Sequence, residues 1–235
     1  MDAWTLLTQR LRTNASGPFV TFVDDVSRVE LSATTVENGA AKVANALLNE
    51  FDLESGALVW LDIPPHWQRT VWCAGVWAAG CAVMVTGDAH DADLVVTSFA
   101  SAEHLAATVS APITVVSLHP FGLAHTEPLP AGCTDATVAV RQQPDILLSR
   151  AAAHDSPALV STDKVLAQDE VLATAAHLAE SWALTPGGRL LTDGSTDITT
   201  SWLASFAVPL VSGSSVVIAN SGIPLAAEGI TAIAV

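Results

Sequence analysis

Lysine occurs only twice in the 235 residues, at Lys42 and Lys164, and tyrosine not at all. Nine basic residues face 24 acidic ones, a formal net charge of −15. A chain this negative repels phosphate backbones and anionic lipid, which excludes nucleic acid and membrane surfaces as partners. The scarcity of cations also works against a polyphosphate site, save where a helix N-terminus supplies N–H donors. Cys73, Cys81 and Cys133 fit no CxxC spacing, and Cys73 and Cys81, inside an apolar stretch, are expected to be buried free thiols rather than bridges or metal ligands. The amino terminus, MDAWTLLTQRLR, has no apolar signal-peptide core, and a cytoplasmic location is expected. Polar and low-complexity tracts are missing, which excludes disorder. Half the residues are apolar, enough for a core of ordinary size in one large domain or two small ones.

The stretch Val59 to Val85 organises what is there. Val59 to Ile63 is a short apolar run ended by Pro64-Pro65, which lack ladder donors and suit a first helical turn. An apolar helix follows from His66 to Ala79, with Gln68 and Arg69 near its start. Gly80 closes it, and Cys81 to Val85 is a second strand. Strand, helix and strand in so short a span imply a parallel βαβ unit with a right-handed crossover. Thr70 to Gly87 carries no charge, but it falls short of the roughly 20 residues of a membrane span and is read as a buried helix.

The same alternation runs along the rest of the chain. Helices are expected over Asp2–Arg12, from Ser32 or Thr34 to Phe51, and over Ser101–Val109, Val165–Leu184, Ile198–Ala207 and Pro224–Gly229. Strands are expected at Phe19–Val23, Val29–Leu31, Leu94–Thr97, Ile113–Leu118, Ala158–Ser161, Arg189–Thr192, Ser215–Ala219 and Ile230–Val235. Thr34-x-x-Glu37 has the form of a capping box. Val36, Ala40, Val43, Ala44 and Leu47 share one face of that helix, with Asn38, Lys42, Asn45 and Asn49 elsewhere. Residues 119–150 are rich in Pro and Gly and read as an irregular connector. The expected fold is α/β, with two layered subdomains of mostly parallel sheet, 1–150 and 151–235.

Four stretches together carry a family resemblance. LSATTVE at Leu31–Glu37 with ANAL at Ala44–Leu47, LESGALV at Leu53–Val59, WAAGCAV at Trp77–Val83, and LTPGGRLL at Leu184–Leu191 with PLVSGSSVVI at Pro209–Ile218 stand in one order. They resemble the N-terminal portion of the AMP-binding, acyl-adenylate-forming superfamily of acyl-CoA synthetases, adenylation domains and luciferases. The resemblance implies ATP and a carboxylic acid as substrates. In that family a loop of the form TSGTTGKPKG follows the strand matched by Ala158–Ser161 and holds the ATP phosphates. Here Thr162-Asp163-Lys164-Val165 follow instead. Ser161, Thr162 and Lys164 are therefore weak candidates for nucleotide contacts, and Asp163 repels phosphate. The family's later parts include an aromatic-Gly acidic motif, an Asp for the ribose and a C-terminal domain with a catalytic lysine. The chain stops before them.

Other constellations are sparse. Asp88, His90, Asp91 and Asp93 cluster potential cation ligands, but Asp93 and Phe99 stand where an EF-hand needs Gly and Glu, so a solvated acidic loop is expected. Gly75-x4-Gly80 lacks the Lys and Ser/Thr of a phosphate loop. His154-Asp155-Ser156 are adjacent, and adjacent residues rarely form a triad. His66 stands near strand carboxyl ends, where open sheets bind ligands. The resulting expectation is a catalytically incomplete relative of these enzymes, without catalytic residues, metal or cofactor, binding a small molecule or a protein partner, with self-association open. The alternatives are an acyl- or adenine-nucleotide-binding protein and a partial ligase with residual activity, where ATP or AMP would enter.

Overall fold

The computed structural model describes residues 1–149, 153–220 and 222–235. The expected junction between residues 150 and 151 lies outside them. The elements run α1 (Ala3–Asn14), β1 (Pro18–Val23), β2 (Arg28–Ser32), α2 (Ala33–Asn49), β3 (Leu58–Asp62), α3 (Trp67–Ala78), β4 (Ala82–Met84), β5 (Leu94–Ser98), α4 (Phe99–Thr108) and β6 (Ile113–Val116). Then follow β7 (Cys133–Asp135), α5 (Ala136–Arg141), β8 (Pro157–Ser161), β9 (Lys164–Ala167), α6 (Gln168–Ser181), β10 (Arg189–Thr192), α7 (Ile198–Ser205), α8 (Ala207–Ser212), β11 (Ser215–Ala219) and β12 (Ala232–Ile233).

The strands form two mostly parallel sheets. One is ordered β12-β10-β11-β1-β2, the other β7-β6-β5-β3-β4-β8-β9, and among the described residues only the edge strands β2 and β9 run antiparallel. The central βαβ unit is parallel, Val59 pairing with Val83. Helix α3 lies between the sheets. Alternation along the strands sends Val20, Phe22, Val216 and Ile218 of one sheet, and Val59, Leu61 and Val83 of the other, into a single core with α2 and α3. The alternate residues Val23, Val217 and Ala219, and Met84, Val95 and Ile113, pack on the outer faces. Helices α2 and α3 meet at Gly75, where an added Cβ would lie 2.5 Å from the Val43 Cβ. Among the described residues no helix is long and apolar enough to cross a membrane.

Local chemistry shifts several expected boundaries. Ser32 caps α2 by accepting from the Thr35 N–H at 3.2 Å, while the Thr34 hydroxyl donates to the Ala15 carbonyl; no Thr34–Glu37 box forms. The helix expected from Val165 starts at Gln168, because Lys164–Ala167 pair with β8 as a hairpin. The Glu170 carboxylate accepts the Ala167 N–H at 2.9 Å and marks the true helix start. The connector contains β7 and α5, and it is pinned by Asn45. That side chain is fully buried rather than on a polar face; it donates to the carbonyls of Pro144 and Ile146 and accepts from the Leu148 N–H.

The helix expected over Ile198–Ala207 breaks at Phe206, and Pro209 explains the break. Proline has no N–H, so the Ser205 carbonyl, four residues earlier, loses its helical donor. Thr70 of α3 replaces it, donating its hydroxyl to that carbonyl at 2.7 Å in a buried setting. Thr70→Val keeps the shape and strands the carbonyl, so we expect a loss of about 1–3 kcal/mol. Urea unfolding followed by far-UV circular dichroism measures it, and an unchanged midpoint would show that water or a shift of α7 satisfies the carbonyl.

Candidate functional site

Strands β6, β5 and β3 are neighbours, and their carboxyl ends open on a cavity of about 680 Å³. Crevices at this edge of a parallel sheet are the natural ligand sites of α/β proteins. Trp60 to Pro64 form one wall, running off the end of β3. Ser98 and the first turn of α4, Phe99 to Ser101, form a second. Val116, the last residue of β6, and Leu118 beyond it, with His125 from the connector, form a third. Ile198 and Trp202 of α7 close the side toward the other sheet.

Arg69 is the cation of this site. It sits on the first turn of α3 and is 6% exposed. Its Nε donates to the Ile63 carbonyl at 2.6 Å and its Nη1 to the Ser201 hydroxyl at 3.0 Å. The guanidinium carbon lies 4.6 Å from the ring centre of Trp202, a cation–π contact. Burial lowers its pKa to about 10, against a raising effect of Asp62, so it stays charged at neutral pH. Nη2 has no hydrogen-bond partner among the described residues. Asp62 also lines the cavity, and its Oδ2 accepts the Thr97 hydroxyl at 2.7 Å across the β3–β5 register. Asp62 and Arg69 make no direct ion pair. The Nε2 of His125 is buried without a hydrogen-bond partner among the described residues, and its ring lies 5.6 Å from that of Phe99. At the N-terminus of α4, Ser98 makes no side-chain cap, and Ser98 to Ser101 line the cavity.

The residues singled out from sequence fall elsewhere. Thr162 and Asp163 are the two-residue turn of the β8–β9 hairpin, with Ser161 and Lys164 paired beneath it. The Thr162 N–H donates to the Thr86 hydroxyl at 3.0 Å, and none of Ser161, Thr162 or Lys164 lines the cavity. Asp88 caps a short 3-10 turn by accepting the His90 N–H, and Asp93 accepts the Leu58 N–H at 2.8 Å; Asp88, His90 and Asp91 are exposed. Among the described residues no three such groups are placed to hold a metal ion. His154 reaches Asp169 at 3.9 Å on the surface, and Ser156 bonds the Ala153 N–H instead. Cys73 and Cys81 are buried free thiols; burial raises both, Cys81 to about 12. The reading from sequence missed Asp62, Thr97, His125 and Trp202. A signal existed in Arg69, a charge inside an otherwise apolar helix.

A protein of Mycobacterium tuberculosis, the TIGR03089 family protein, is 32% identical over 195 residues, 81% of this chain and 77% of that protein. The chain belongs to the TIGR03089 family. No family model matches it. Solved structures share the fold of this TIGR03089 family chain at lower identity. An acyl-CoA synthetase of Brucella canis superposes with a TM-score of 0.80 at 17% identity, over 99% of this chain and 47% of that one. Coronafacic acid ligase of Pectobacterium brasiliense gives 0.73 at 13% identity, over 94% and 46%. The anthranilate CoA ligase AuaEII, in complex with anthranoyl-AMP, gives 0.71 at 15% identity, over 97% and 46%. The TIGR03089 family chain thus has the fold of the N-terminal portion of these enzymes and spans about half their length.

His66 is not part of the cavity. It is 3% exposed, caps α3 through Nδ1, and packs against Phe22 and Trp67. Burial lowers its pKa from 6.5 to about 4, with Asp24 pulling the other way. As pH falls below about 6.5, the unfolded chain takes up a proton that the folded chain refuses. Stability therefore drops by up to about 1.4 kcal/mol per pH unit until about pH 4. His66→Asn keeps a capping acceptor and removes the titration. We expect its stability to fall less steeply across this window; parallel curves in urea titrations would contradict the assignment.

Proposed function

We propose that the chain is a small-molecule-binding module of the adenylate-forming fold that takes a carboxylic acid with an apolar body and does not adenylate it. The observation that carries this reading is the cavity at the carboxyl edge of β3, β5 and β6. Arg69, a cation that lines it, is buried, held by protein at Nε and Nη1, and without a hydrogen-bond partner at Nη2 among the described residues. A carboxylate in reach of Nη2 and of the α4 N-terminus would receive charge-assisted hydrogen bonds. The aromatic and aliphatic walls would desolvate the rest of the molecule. Support for the non-adenylating part comes from the β8–β9 junction. A two-residue turn carrying Asp163 leaves no cradle of backbone N–H groups for polyphosphate. The acids named for the structural neighbours, such as anthranilate, are reasonable first probes.

A thermal-shift panel tests this, with aromatic and aliphatic carboxylic acids, with and without amino or hydroxyl substituents, beside Mg-ATP and AMP. At about 100 times its dissociation constant a ligand stabilises by about 2.7 kcal/mol. Each kcal/mol moves the midpoint of a chain this size by about 2–4 °C. We expect an acid to raise the midpoint by roughly 5–10 °C in the native chain and not in Arg69→Gln. ATP-dependent pyrophosphate release would overturn the non-adenylating reading, and silence across all acids would overturn the ligand reading.

A further inference from the structure

Five of the twelve large apolar side chains left exposed among the described residues lie in the connector, at Phe121, Leu123, Val138, Ile146 and Leu148. Such clustering marks an interaction surface more often than chance exposure does. Phe121, 77% exposed, walls a groove. Two adjoining cavities, of about 430 and 190 Å³, share Gly39, Trp67, Val71 and Phe121 and make one apolar trough along α2 from Thr35 to Val43. Residues 143–148 lie against the same helix one turn further on. The Lys42 ammonium donates to the Gln143 carbonyl at 2.6 Å, and Asn45 holds the backbone of Pro144, Ile146 and Leu148. Leu147 packs against the core, while its neighbours Ile146, at 70%, and Leu148 are exposed. Lys42 thus lines the groove and anchors the start of an apolar knob beside it.

The same face carries charges of both signs. Lys42 and Arg141 line the groove, two of the nine basic residues in a chain of net charge −15. Asp145 is in the knob. Burial, and then Asp145, hold the Glu37 carboxyl of α2 above its ordinary value, so the two acids are near one another. None of these four residues forms an ion pair among the described residues. A partner of one charge sign would meet half of this set and be repelled by the other half. A surface that carries groove, knob and both signs complements itself, because a twofold rotation brings each feature to its counterpart. We propose that this face is the isologous interface of a homodimer, in which Ile146 of each copy enters the groove between Trp67 and Phe121 of the other and Lys42 of each copy meets Asp145 of the other. The inference does not depend on the ligand reading given above.

Sedimentation velocity on the full chain tests it. The native chain should run as a dimer at micromolar concentrations and dissociate on dilution. Lys42→Glu and Asp145→Lys should each weaken the dimer at least about tenfold, because each sets like charges opposite one another. An equimolar mixture of the two variants should regain the native affinity as a heterodimer, since both ion pairs are then present with one of them reversed in sign. Only contact between copies predicts that rescue. Ile146→Ser and Phe121→Ser should each cost at least about tenfold, the scale of an interface anchor, and Val165→Ser, on the exposed edge strand β9, should cost nothing. Circular dichroism establishes that the variants fold, and Ile146→Ser, at an exposed side chain, decides even if Lys42→Glu disturbs the Gln143 contact. A native chain that stays monomeric would overturn the proposal. So would a dimer indifferent to Ile146→Ser and Phe121→Ser, or folded charge variants that fail to rescue each other.

Discussion

Trp77→Ala is expected to cost roughly 3–5 kcal/mol, the range for emptying a buried aromatic site. The ring is 2% exposed and lies 5.5 Å from Phe206. Its Nε1 donates to the Ala158 carbonyl at 2.6 Å, joining α3 to β8. The backbone of the same residue takes a second link, because Gln168 donates its amide to the Trp77 carbonyl and accepts the Ala3 N–H. Truncation leaves a cavity where α1, α3, α6 and β8 converge and strands a buried acceptor. At about 2–4 °C per kcal/mol, the midpoint should fall by roughly 6–20 °C in a far-UV circular dichroism melt. Trp77→Phe, which keeps most of the volume and loses the donor, should fall by less. Equal losses would mean that the hydrogen bond, not the packing, holds this junction.

Arg10→Leu should be nearly as damaging, about 3 kcal/mol or more, because each buried acceptor left unpaired costs about 1–3 kcal/mol. Arg10 is 9% exposed on α1 and stacks 4.7 Å from the Phe19 ring centre. Its Nη1 donates to the carbonyls of Pro209 and Ser214, and its Nη2 to the Pro18 carbonyl. One guanidinium thereby ties α1 to the end of α8 and the start of β1. Burial lowers its pKa; its partners here are three carbonyls rather than a carboxylate. Arg10→Lys should recover only part of the loss, since an ammonium lacks the planar fork that reaches separated acceptors. Full recovery by lysine, read from urea midpoints, would show that charge rather than geometry matters.

These two residues mark how far periodicity reads. Trp77 lies in an apolar run whose burial was evident, but no pattern in the sequence names Ala158 as its partner. Arg10 follows the helical stripe of Ala3, Leu6 and Leu7, and a charge there reads as solvated until α8 and β1 are seen to close over it. Asn45 is the same case: a polar residue beside the apolar face of α2, buried because the connector folds back onto it. Pro209 had a legible local consequence, a helix break, while the donor that makes the break tolerable, Thr70, comes from more than a hundred residues away.

The candidate site divides in the same way. That strand carboxyl ends would face a crevice follows from the βαβ pattern, and Gln68 and Arg69 stood out in an apolar helix. The chosen site residues, Ser161, Thr162 and Lys164, marked a turn after β8 and not the cavity. Asp62, His125 and Trp202 are 63 and 77 residues apart along the chain, and only the stacking of β3, the connector and α7 brings them to one cavity.

By itself the sequence determined the α/β class, the parallel βαβ core and the acidic charge, because hydrophobic period, proline and glycine act over a few residues and do not depend on what packs against them. It also determined the likeness to the N-terminal portion of adenylate-forming enzymes, since the order of those local patterns is preserved along the chain. Only the tertiary structure decided which polar groups are buried, which backbone carbonyls need a donor from afar, and where a cavity forms. Those depend on long-range contacts whose partners lie on other elements, and a buried Arg10, Asn45 or Arg69 has the same one-letter code as an exposed one.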